Sequence, residues 1–139
     1  MGKTISIEFD GYCRDEKKAS IRARSGIYCV YECTYNVERN TVSIHNLIYI
    51  GEAENLHDRI ADHEKRPDWL KHVRSSNELC FSIGDISEMD RERAAAAMIF
   101  RHKPPQNDEF ADSFPSDETT MSISGKTALL TTNFTVAGS

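Results

Sequence analysis

Tyr28, Tyr49, Arg59, His63 and Glu92 are the side chains in this 139-residue sequence whose types and spacing can do chemistry together. A guanidinium presents a planar fork suited to phosphate oxygens and stays charged at any working pH. Glu92 shares a helical face with Ala95, Ala96 and Ile99. A carboxylate at the end of such an apolar stripe is costly unless paired or metal-bound. One carboxylate with waters and a substrate phosphate is also how Mg²⁺ is usually held. His63 can hydrogen-bond a phosphate or relay a proton. A phenol, with an ordinary pKa of about 10, serves as a base only where a cation or a metal-bound hydroxide lowers it. Phosphodiester hydrolysis needs this equipment: an activated water, a cation on the phosphate, and neutralisation of the charge that develops. Each residue also has a plainer reading. Strand tyrosines belong to cores, Arg59 can bridge to Glu92 or Glu54, Glu92 can complement a helix dipole, and His63 can be a satisfied surface histidine.

The elements that must position these residues follow from periodicity. Residues 4–9 alternate polar and apolar, as a short strand does, and the charge-rich stretch 10–24 reads as a loop with a helical turn. Residues 27–35 and 41–50 are β-prone runs joined by a polar turn, a hairpin. Leu56, Arg59, Ile60 and His63 then fall on one helical face, with Asn55 as a cap. Pro67 opens a second short helix that carries Trp69, Leu70 and Val73. Residues 79–86 form a third core strand. Ser87 caps a helix that runs through residues 92–100 and stops before Pro104-Pro105. Residues 108–118 are acidic and turn-prone, and residues 121–136 can add one or two edge strands. The expected architecture is α+β: a small central three-stranded sheet flanked by helices, with an extra N-terminal strand and a C-terminal extension. The expected organisation is one domain over residues 1–107, followed by an acidic linker and a Ser/Thr-rich extension over 108–139.

Net charge is −5, divided as +1 over residues 1–51, −2 over 52–107 and −4 over 108–139. A near-neutral core predicts weak non-specific nucleic-acid affinity, because phosphate neutralisation supplies most of that affinity. Cys13, Cys29, Cys33 and Cys80 form no CxxC pair, which argues against zinc and for reduced thiols on strands. No apolar run reaches 18 residues and the N-terminus is no signal sequence, so no membrane partner and a cytoplasmic location are expected. Gly125-Lys126-Thr127 resembles the end of a P-loop, but Thr120 stands where its first glycine would be.

Gly26-Ile27-Tyr28 and Tyr49-Ile50-Gly51, followed by Arg59, His63, Glu92 and Pro104-x-x-Asn107, resemble in order and spacing the GIY-YIG nuclease superfamily over residues 25–107. The resemblance implies a divalent-metal-dependent endonuclease acting on DNA. It makes Glu92 the ligand of Mg²⁺ or Mn²⁺ and places Arg59 on the scissile phosphate, with His63 and Gly51 also at the substrate. Tyr28 and Tyr49 line the site, one of them taking the proton from the attacking water. Gly26 and Asn107 support it: the glycines give backbone room, and the Asn107 amide ties the chain exit to the core. In some relatives a basic residue follows the Tyr-Ile-Gly triplet; here it is Glu52, a charge that opposes DNA. Nothing resembles a zinc finger, a helix-turn-helix or a basic arm. Targeting must therefore come from a partner, a homo-oligomer or loops such as residues 10–24. Two alternatives stay open: a binding or regulatory module on the same core, and a nuclease for RNA or branched DNA.

Overall fold

The computed structural model describes residues 2–138. Its strands are β1 (Lys3–Arg14), β2 (Gly26–Asn36), β3 (Thr41–Ala53), β4 (Glu78–Asp85), β5 (Thr119–Gly125) and β6 (Asn133–Val136). The helices are α1 (Leu56–Ala61), α2 (Arg66–Leu70) and α3 (Glu88–His102), with a 3-10 turn over Asp15–Ser20. All six strands join one sheet in the order β3-β2-β4-β1-β5-β6. The sheet is antiparallel throughout except where β1 runs parallel to β5.

This overturns the expected small three-stranded sheet flanked by helices. The sheet is six-stranded, mixed and curled into a half-barrel, and helix makes up only about 23% of the chain. The three strands of the expected sheet are adjacent in it, β3-β2-β4, but β1 is an interior strand rather than an addition. The physical reason is visible in β1. Ile5, Ile7 and Phe9 are each almost fully buried, and a strand buried there needs a neighbour on both edges. β4 supplies one, and β5 supplies the other from more than a hundred residues away, pairing Lys3 with Thr119 through Phe9 with Gly125. β1 also runs further than its period-two stretch. A bulge lies between Asp10 and Cys13, with Gly11 at φ 142°, so the alternation breaks while the pairing to β4 continues.

Each face of the sheet carries its own core. On one, Ala94 to Ala97 of α3 are all buried, and these small side chains bring the helix close to Ile27, Cys29, Ile50, Met121 and Ile123. On the other, α1 and α2 cover Tyr28, Val30, Ile48 and Phe81 with Leu56, Ile60 and Trp69. β3 is an edge strand, so the gap between α3 and the α1–α2 pair opens along it. A fully buried carboxylate, Glu32, ties β2 to the turn before β4. It accepts from the backbone and side chain of Arg74 and from the amides of Asn77 and Asn46. Burial raises its pKa, but these donors outweigh burial and bring it down to about 2. No helix among the described residues is long and apolar enough to cross a membrane.

Candidate active site

A cavity of about 560 Å³ opens beside β3, and Tyr28, Tyr49, Gly51, Arg59, Glu92 and Asn107 all line it. They come from β2, β3, α1, α3 and the segment after α3, and each is held by a specific local arrangement. Gly51 pairs with Tyr28 across the hairpin. A Cβ at position 51 would fall 2.3 Å from the Tyr28 ring and hydroxyl, so only glycine lets that ring lie across the strand. A Cβ on Gly26 would meet the Gly84 carbonyl oxygen at 2.3 Å and Leu56 Cδ1 at 2.7 Å, which fixes how closely α1 and β4 approach the start of β2. Asn107 acts as a substitute strand for the β3 edge: its amide accepts from Ile50 N–H at 2.9 Å and donates to Ile50 C=O at 2.8 Å.

His63 sits outside the expected helical face. α1 ends at Ala61, and Asp62, its C-cap, has left helical geometry. Leaving the helix lets the His63 ring turn under the sheet, where it is buried. The Lys65 N–H donates to Nδ1 at 3.1 Å. The proton of the neutral ring therefore belongs on Nε2, which donates to the Tyr28 hydroxyl at 2.7 Å. Burial first, and then the nearby Arg59 charge, lower the His63 pKa to about 4, so the ring is neutral at physiological pH. Trp69 packs against it with ring centroids 4.3 Å apart. Burial raises the pKa of both phenols above the ordinary value, and the nearby Arg59 charge offsets only part of that rise.

Arg59 pairs with neither Glu92 nor Glu54. Its Nη2 donates to Glu64 Oε1 at 2.8 Å, and this pairing brings the Glu64 pKa down to about 2. The Glu92 carboxylate is exposed at the cavity wall rather than packed inward, with Ala95 and Ile99 beneath it. Among the described residues it has no hydrogen-bond or ion-pair partner. An unpaired carboxylate facing an open cavity beside a guanidinium suits a hard divalent cation that keeps several waters and takes the rest of its shell from a phosphate. The residues present thus fit Mg²⁺ or Mn²⁺ at Glu92.

Two further features have no signature in the sequence pattern. Lys65 extends into the cavity with Nζ 5.9 Å from the centre of the Tyr49 ring and no ion-pair partner among the described residues. Glu52, the acidic residue after the Tyr-Ile-Gly triplet, is held by the Arg91 guanidinium. Lys65 lies in the connection between α1 and α2. Asp108 and Glu109, expected in a linker, also line the cavity. No protein-family model, curated protein or solved structure matches this chain.

Proposed function

We propose that this protein is a metal-dependent nuclease of GIY-YIG type that hydrolyses phosphodiester bonds in DNA. The observation that carries the reading is the convergence of Tyr28, Tyr49, Arg59 and Glu92 on one cavity from separate elements, with the Tyr28 hydroxyl fixed by His63. The set comes from separate elements and leaves Glu92 and Lys65 without protein partners in the same cleft, among the described residues, an arrangement that phosphate chemistry would use.

Mg²⁺ or Mn²⁺ held by Glu92 would supply Lewis-acid charge at the phosphate. Arg59 grips the non-bridging oxygens, leaving Glu64 as the phosphate arrives, and Lys65 adds a second positive charge on the same side. The Tyr28 hydroxyl is suited to orient the attacking water rather than to take its proton, since burial raises its pKa. Its oxygen receives the Nε2–H of His63, which leaves the phenol O–H free to donate to that water. His63 is a positioning residue whose tautomer is set by the Lys65 backbone. Tyr49 forms the wall between Lys65 and Trp69.

The test is nicking of supercoiled plasmid that is abolished by EDTA and restored by Mg²⁺ or Mn²⁺. Arg59→Ala should lower the rate at least a hundredfold, the scale of losing one fixed donor at a developing charge. Normal turnover in that variant would remove Arg59 from the mechanism and the reading with it.

A further inference from the structure

A second groove, about 660 Å³ in volume, lies at the other end of the edge strand and carries cations that the catalytic cavity does not use. Tyr12, Arg14, Lys17, Tyr35, Thr41 and Lys126 are among its walls, and no Asp or Glu of the described residues lines it. The charged side chains on its walls are all cations, although the chain carries a net charge of −5. Arg14 is fixed in place and its charge is met by two carboxylates beside the groove: its guanidinium lies 3.5 Å over the Tyr35 ring centre, donates to both carboxylate oxygens of Glu78 at 2.7 and 2.9 Å, and also donates to Glu16. Lys17 and Lys126 differ, since neither has an ion-pair partner among the described residues.

The groove is built by contacts far apart in sequence. Lys17 comes from the 3-10 turn and Lys126 from the segment after β5. That segment is tied down by Lys126 N–H donating to Phe9 C=O at 2.8 Å and Ala128 N–H donating to the Tyr12 hydroxyl at 2.9 Å. Tyr31 in turn donates to the Ala128 carbonyl at 3.0 Å. Two free ammonium groups are thus held beside two aromatic walls.

We propose that this groove binds the phosphate backbone of nucleic acid, without reading sequence and away from the cut. The identity of the polymer rests on the nuclease reading; the anion chemistry does not. Thr41 and Val42 line this groove, while Ile50 and Gly51 line the catalytic cavity. β3 is irregular at two places over this interval, and the β2 stretch it pairs with, Tyr35 to Tyr28, rises roughly 23 Å, several base pairs of a B-form duplex but less than a full turn. A duplex laid along the β3 edge would therefore present a phosphate to Lys17 and Lys126 several base pairs from the scissile bond. Lys126 of the Gly-Lys-Thr triplet would then meet a phosphate without any nucleotide-binding loop.

The experiment measures fluorescence anisotropy of a labelled 20-base-pair duplex in EDTA, from 50 to 200 mM salt, with plasmid nicking in Mg²⁺ run in parallel. The double variant Lys17→Gln, Lys126→Gln should bind at least fivefold more weakly than wild type at low salt. Its log–log salt slope should fall in magnitude by about two, one for each phosphate that is no longer neutralised. Lys71→Gln, at an exposed lysine paired with Asp68, should bind like wild type. Binding of the double variant within twofold of wild type, or no duplex binding by wild type, overturns the groove. Nicking that persists while binding ignores these lysines would sink the groove and leave the nuclease standing. Lysine-dependent binding with no nicking on any substrate would do the reverse.

Discussion

Glu64 holds Arg59, and in the proposed reaction a substrate phosphate would compete with it for the same guanidinium. The Glu64 side chain is mostly exposed, so the competing pair is worth no more than about 1 kcal/mol. Glu64→Gln should consequently tighten duplex binding two- to fivefold, read as a lower Kd in EDTA; weaker binding would mean that Glu64 orients Arg59 rather than competing for it. At this scale much of the candidate site is legible in the sequence, because the two tripeptides, Arg59, Glu92 and Asn107 stand at recognisable spacings. Glu64 and Lys65 are not legible there. Their roles depend on how the chain turns between α1 and α2, and an acidic-basic pair in a polar stretch has no periodicity to mark it.

The connection from α1 to α2 depends on a neutral His63 beneath β2. Its pKa in the folded protein, about 4, lies below the ordinary 6.5. Between those values the unfolded chain binds more protons than the folded one, so stability rises with pH across that interval and levels off above 6.5. Urea unfolding should accordingly show a loss of up to about 3 kcal/mol between pH 7 and pH 4.5. Glu32 contributes little in this window, since its lowered pKa draws on stability only below 4.5. His102, also lowered chiefly by burial, adds to the same slope, and His63→Gln isolates the difference. An unchanged pH slope in that variant would show that His63 is not held neutral. The element boundaries explain why this device is hidden from the sequence: Arg59 and His63, four residues apart, read as one helical face, whereas the helix ends between them.

The whole molecule depends on the pairing of β1 with β5. Met121, Ile123, Phe134 and Val136 belong to the same core as α3, and β1 depends on β5 for one of its edges. Ending the chain at residue 107 should therefore expose Ile5, Ile7 and Phe9 and abolish cooperative thermal unfolding; a truncated chain that melts within a few degrees of the full one would contradict this. That pairing leaves no trace in local pattern, because parallel strands more than a hundred residues apart share no turn and no period. The hairpin β2–β3 and helix α3 are legible because their signals lie within a dozen residues of each other. The central claim, that this fold presents Glu92 to a metal and a phosphate, is tested most directly by plasmid nicking in Mg²⁺ by wild type beside Glu92→Gln, with both shown to be folded by circular dichroism. Wild type should nick in a metal-dependent way, and the variant at a rate at least a hundredfold lower. Equal rates in the two proteins would contradict that claim.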